Sequence, residues 1–164
     1  DALVGWRSSG IHSNGLTLAR EAATRDHEYT DPCPFGGYET VGAALLEPTR
    51  IYADLLGPLR SHGVRGAAHV TGGGWTNLTR LGGHRYVVED AVDPQPVFEF
   101  VQSEGNVSDE EMYRTFNMGT GFVAALDPDD AASLAAATDG RVIGRVAEGA
   151  DEGDGSVAIR GLEL

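Results

Sequence analysis

The chain has 164 residues, 41% of them hydrophobic, which suits one domain built on one sizeable core. Its 25 acidic residues outnumber 12 basic ones, and the net charge of -13 argues against a nucleic-acid partner, whose phosphates it would repel. No run of 18 apolar residues marks a membrane-spanning helix, and a single cysteine excludes an internal disulfide and any multi-thiolate metal centre.

In chain order, Asp1 precedes an apolar run, Ala2-Leu3-Val4, so the sequence reads as a fragment of a longer protein. Residues 3–6 form a predicted strand entering a Gly-Ser turn. Ser13 or Asn14 is then placed to cap a helix running to about Thr24. Residues 26–39, rich in Pro, Gly and Asp, read as a loop. Cys33 sits there between Pro32 and Pro34 with no nearby histidine, which fits a reducing, cytoplasmic setting. A helix over 41–46 ends at Glu47-Pro48, because the residue before proline avoids the α region. Another helix runs from about Tyr52 to His62 and stops at Gly63, and residues 66–70 make a small-residue buried strand.

A helix is expected after Gly74, then a strand at 86–88 and a helix at 96–102 with Val97, Phe98 and Val101 as its apolar stripe. Ser108 and Glu111 have the spacing of a capping box opening the next helix. The chain continues with a strand at 121–126, an Ala-rich helix at 128–137, a strand at 141–146, an acidic turn at 148–155 and a last strand at 157–160. Strands interleaved with helices predict an α/β or α+β sandwich, layered around a mixed sheet, and no residue spacing marks a metal centre.

Every basic residue is arginine, and the acids are spread along the chain rather than gathered in a tail. A surface that binds basic partners is one reading. The other is a coat adapted to high salt, where acidic groups stay hydrated and salt screens their repulsion. The even spread favours the second and a halophilic source.

Three stretches carry more glycines, hydroxyls and amides than a core needs: Ser8-Ser9-Gly10-Ile11-His12-Ser13-Asn14-Gly15, Thr71-Gly72-Gly73-Gly74, and Met112-Tyr113-Arg114-Thr115-Phe116-Asn117-Met118-Gly119. Glycine lets backbone approach a ligand closely, and free N–H groups at a helix start bind anions. The triple glycine between a strand and a helix suits a phosphate cradle, with Asn77 in the following turn. Arg114 offers a bidentate fork for a phosphate or carboxylate. Asn117 is expected to face the cleft and Phe116 to pack. Arg50 is either a second anion contact or half of an ion pair with an acid such as Glu47. His69, inside an apolar strand, reads as a satisfied core histidine; His27, His62 and His84 read as surface residues. Trp6 and Trp75 are expected to pack.

The wording and order of these stretches, with Leu45-Leu46-Glu47-Pro48-Thr49-Arg50-Ile51-Tyr52 and Ala67-Ala68-His69-Val70, resemble the C-terminal half of aminoimidazole ribonucleotide synthetases, here of a halophilic archaeal type. The resemblance spans residues 3–149 and departs at Trp6-Arg7, in the loop 31–38 and in the acidic turn, none of which touches the three stretches. It implies the α+β domain of that superfamily, with an N-terminal ATP-binding domain lying outside this sequence. It also implies ATP-dependent closure of the imidazole ring of formylglycinamidine ribonucleotide. Phosphorylation of the formyl oxygen makes a poor leaving group a good one, and the amidine nitrogen then displaces it. Such chemistry needs positioning and charge stabilisation more than a protein nucleophile. On this resemblance His12 and Asn14 are the catalytic candidates. Ser9, Gly10, Ser13, Gly15, Arg50, Thr71, Gly72, Gly73, Gly74, Asn77, Arg114, Asn117 and Gly119 are the substrate and phosphate candidates. Mg2+ would be held mostly by the N-terminal domain, and the full protein would be a homodimer.

Overall fold

The computed structural model describes residues 1–148 and 155–164. The strands are β1 (Ala2–Arg7), β2 (Gly66–His69), β3 (Arg85–Val88), β4 (Thr120–Leu126), β5 (Arg141–Ala147), β6 (Ser156–Ile159) and β7 (Leu162–Glu163). The helices are α1 (Leu16–Ala23), α2 (Val41–Leu45), α3 (Leu56–Ser61), α4 (Pro96–Gly105), α5 (Asp109–Thr115) and α6 (Pro128–Ala137), with 3-10 turns at Ala53–Leu55 and Gly74–Leu81. One sheet contains all seven strands in the order β2-β4-β1-β5-β3-β6-β7. Its pairs are antiparallel except β3–β6, which makes the sheet mixed as expected.

Side-chain alternation along the strands sorts the core into two layers. Leu3, Val123 and Ala125 join Ile11, Ala19, Phe98, Met112 and Phe116 on the face covered by α1, α2, α4, α5 and the long 3-10 turn. Val4, Trp6, Ala124 and Leu126 join Leu55, Leu59, Ala131 and Leu134 under α3 and α6. Each fully buried Leu or Phe contributes about 1.5–3 kcal/mol relative to exposure. Trp6 and Trp75 are buried, as expected. α1 and α4 approach closely because Gly105 faces Ala22: a Cβ at 105 would lie 3.0 Å from the Ala22 Cβ.

Local chemistry explains where the elements depart from expectation. The N-cap of α1 is Gly15 in the left-handed region (φ 67°), with no side-chain cap; neither Ser13 nor Asn14 caps it. The helix expected after Gly74 is entirely 3-10, entered through Gly73 at φ 97°. Half of the capping box forms. The Ser108 hydroxyl accepts from the Glu111 N–H at 3.3 Å, whereas the Glu111 carboxylate accepts from Thr115. Asp127 caps α6 by accepting from the Asp129 N–H at 3.1 Å. Most of the acidic turn, residues 149–154, lies outside the described residues.

Candidate functional site

The three glycine- and amide-rich stretches meet at one end of the sheet, where β1 and β2 finish and β4 begins. The Ser8 N–H donates to the Gly119 carbonyl at 2.9 Å. Asn117 donates to the carbonyls of Gly10 (2.8 Å) and Ile11 (3.2 Å), while its own carbonyl accepts from the Gly119 N–H (2.9 Å). Gly74, at φ 53°, lies directly on the backbone of Tyr113 to Phe116; a Cβ there would sit 2.9 Å from the Phe116 carbonyl oxygen. Gly72 lies against Asn14, whose Oδ1 would be 3.7 Å from a Cβ at 72. A fourth segment joins them. The Ser9 hydroxyl donates to the Pro48 carbonyl (2.6 Å) and accepts from the Arg50 N–H (3.0 Å), and Ser13 meets Thr49 at 3.3 Å.

His12 occupies the left-handed region (φ 63°), which non-glycine residues rarely adopt. The Ser9 N–H donates to its Nε2 at 3.2 Å, so the neutral ring carries its proton on Nδ1. Burial, and secondarily the neighbouring His69, push its pKa down to about 4, so the ring is neutral at pH 7. Its Nδ1 is buried without a partner, as is Nε2 of His69. The rings of His12, His69 and Tyr52 gather with centroids 5.5–6.3 Å apart, and Phe122 stacks on Tyr52 at 5.3 Å. Gly121 makes room for them, since a side chain there would collide with the Tyr52 hydroxyl. Burial also lowers the pKa of His69 and raises that of Tyr52.

Several candidates turn out to hold the site together rather than to face a ligand. Asn117 is buried with its amide engaged by backbone, so it does not face the cleft. Asn77 is likewise buried, donating to the carbonyls of Gly72 (3.0 Å) and Gly74 (2.7 Å) and accepting from Thr71 (3.3 Å). Arg114 pairs with Glu110 one helical turn away. Arg50 is in an ion pair, but its partner is Asp139, not Glu47. Gly119 (φ 93°) packs on Asp93 and Pro94. His69 is half-buried and unsatisfied rather than a contented core residue. His27 pairs with Glu104 at 3.6 Å and packs on Phe100.

What faces outward is a smaller set. Gly72 and Gly73 are exposed, and among the described residues their N–H groups have no intramolecular partner. Ser13 is exposed and Asn14 half-buried beside them, at the start of α1, whose first amides have no side-chain cap. Such a surface accepts an anion through backbone N–H groups and short polar side chains. Gln95, which donates to the Ser8 carbonyl, and Asp139 are parts of this end that sequence patterns did not reveal. A cleft of about 400 Å3 at the opposite end is lined by Arg65, Leu81, His84, Tyr86 and Val146, and among the described residues no buried polar atom there is left without a partner that could orient a ligand.

The family model described as AIR synthase related protein, C-terminal domain, matches residues 1–154. The chain belongs to this family. Among curated relatives, the phosphoribosylformylglycinamidine cyclo-ligase of Methanosarcina acetivorans is 46% identical over 149 residues, covering 90% of this chain and 45% of the relative. The enzyme of the same name from Methanopyrus kandleri is 48% identical over 155 residues, covering 91% and 44%. That of Methanococcoides burtonii is 41% identical over 165 residues, covering 100% and 48%. The chain therefore spans a little under half the length of the relatives it matches.

Proposed function

We propose that this domain is the C-terminal part of a phosphoribosylformylglycinamidine cyclo-ligase, acting in purine biosynthesis with formylglycinamidine ribonucleotide and ATP as substrates and ADP, phosphate and the aminoimidazole ribonucleotide as products. The observation that carries the reading is the meeting of Gly72, Gly73, Ser13 and Asn14 at one sheet end, in the same stretches that resemble the cyclo-ligases. The unpaired N–H groups of Gly72 and Gly73 bind a phosphate group of a substrate, and Ser13 and Asn14 orient its oxygens. Each hydrogen bond to a charged group is worth about 1.5–3 kcal/mol. His12 acts from beneath: neutral, buried and bonded to Ser9, it fixes the loop that carries Ser13 and Asn14.

Among the described residues no group of three His, Cys, Asp or Glu side chains is arranged to hold a cation. On this reading Mg2+ and the bulk of the ATP contacts belong to an N-terminal ATP-binding domain. Leu46 and Ile51, 79% and 81% exposed, bracket the segment bonded to Ser9 and Ser13 and are consistent with such a covering. A homodimeric, cytoplasmic enzyme from a halophile completes the reading, and the net charge of -13 supports its last element. No helix among the described residues is long and apolar enough to cross a membrane.

The test is an assay of the complete polypeptide in high salt with formylglycinamidine ribonucleotide and ATP, following ADP and the imidazole product together. Equal appearance of both is expected. The companion variant is Gly72→Val, whose Cβ has room and whose φ is unstrained; Gly73, at φ 97°, would be strained by any side chain. Gly72→Val should weaken phosphate-bearing substrates while leaving the melting temperature unchanged. ADP without the imidazole indicates a sibling enzyme of the superfamily. Neither product from folded protein indicates a ligand-binding module.

A further inference from the structure

Asp139 lies in the turn between α6 and β5, distant in sequence from the loop Ser8–Gly15 and in no stretch with a recognisable pattern. Its carboxylate grips Arg50 through two bonds, Oδ2 to Nη1 at 2.7 Å and Oδ1 to Nη2 at 2.9 Å, the fork geometry that fixes direction as well as distance. The same guanidinium donates to the Arg7 carbonyl at 3.2 Å, beside the Tyr52 hydroxyl, which donates to that oxygen at 3.0 Å. It also lies over the Tyr52 ring, 5.0 Å from its centre. The turn is itself anchored. The Thr138 hydroxyl accepts from Trp6 Nε1 (3.0 Å) and from the Gly140 N–H (3.2 Å) and donates to the Leu134 carbonyl (2.8 Å).

Arg50 is thereby a fixed post, and its backbone N–H holds the Ser9 hydroxyl, whose own N–H holds His12. The neighbouring Thr49 meets Ser13. Removing the carboxylate leaves Arg50 with one carbonyl and a ring face, and the 48–50 segment free to drift from Ser9.

We propose that Asp139 is a positioning residue of the anion-binding end: through Arg50 it sets the Ser9–Ser13 loop in the geometry that presents Ser13 and Asn14. The inference rests on the functional reading of that end, and its test separates the two. The first arm needs no activity. Nitrogen NMR of the His12 ring in the complete polypeptide reports the Ser9 N–H···Nε2 bond, with the proton on Nδ1 in the natural sequence. In Asp139→Asn that signature is expected to give way to a mixture of both tautomers, and Asp139→Glu to restore it. Asp90→Asn, which breaks the comparable Arg141 ion pair elsewhere, should leave it untouched. An unchanged His12 signature in folded Asp139→Asn overturns the proposal.

The second arm measures turnover in the complete polypeptide. Asp139→Asn is expected to lower kcat about tenfold or more, the scale on which small misplacements act, with a smaller change in KM. Equal kcat for Asp139→Asn and the natural sequence overturns the positioning role. So does a loss no larger than the fraction of molecules unfolded. If the natural sequence itself makes no imidazole product, the cyclo-ligase reading fails, and the NMR arm still decides whether Asp139 sets the loop.

Discussion

The two ends of the sheet are built on different principles. At the end where β1 finishes, loops meet through buried amides and strained backbone: His12, Gly15, Gly73, Gly74, Met118 and Gly119 all have positive φ, and Asn77 and Asn117 bond backbone carbonyls out of water. At the end where β1 begins, exposed ion pairs do the fastening, Arg65 to Asp1 and Asp127 and Arg85 to Glu163. Exposed pairs without a two-bond fork of the Arg50–Asp139 kind contribute little and weaken in salt, whereas a buried amide that loses its partner costs its full desolvation. Rigidity is therefore concentrated at the end proposed to meet a ligand, and adaptability at the other.

The sharpest break in that contrast is Gly74→Ala. Its Cβ would press on the backbone of Tyr113, Arg114 and Phe116 at a φ of 53°, so unfolding free energy should fall by about 3 kcal/mol or more. Gly63→Ala, also at positive φ but with open space around it, should lose only about 1–2 kcal/mol. Denaturant titrations of the pair compare packing against backbone strain alone. Asn117→Ala comes next, at about 2–3 kcal/mol, because it strands the buried carbonyls of Gly10 and Ile11. A loss under 1 kcal/mol there would mean that the loops are held by something else.

The pH dependence is smaller and has a definite sign. His12 titrates near 4 folded and near 6.5 unfolded, so the unfolded chain binds the extra proton between those values. Its contribution is fully present above 6.5 and is lost as pH falls toward 4, at up to about 1.4 kcal/mol per unit. Unfolding measured between pH 7 and 5, above the main carboxylate range, should show this slope in the natural sequence. It should be shallower in His12→Asn, which tolerates the left-handed backbone, the remainder coming from His69, whose pKa burial also lowers. Smallest of all, Arg65→Ala at the ion-paired end should cost no more than about 1 kcal/mol and nothing in high salt.

Much of the fold was legible because composition and punctuation agree: short apolar runs in β1 and β4, Pro at the starts of α4 and α6, and Ser108 as a cap. The three glycine- and amide-rich stretches stand out in the sequence too, and they do meet at one end of the sheet. Which members face a ligand was not legible. Asn77 and Asn117 look like ligand groups in sequence, and only the carbonyls of distant residues, such as Gly10 at a separation of 107, reveal them as fasteners. Arg50 likewise finds Asp139 across 89 residues, a partner no local pattern encodes. The 3-10 course of Gly74–Leu81 escaped for a related reason: tertiary contacts with α5 and β2 override its helical propensity.

The place of β1 bears on how the chain is made. Within this domain it is the first strand to be synthesised, yet both of its neighbours, β4 and β5, lie between residues 120 and 147. At a synthesis rate of about 5–20 residues per second, the strand waits on the order of 10 seconds before either partner exists. During that wait Leu3, Val4 and Trp6 have no sheet to enter, so the nascent domain depends on shielding from outside, and its folding rate is set by long-range closure rather than by local structure.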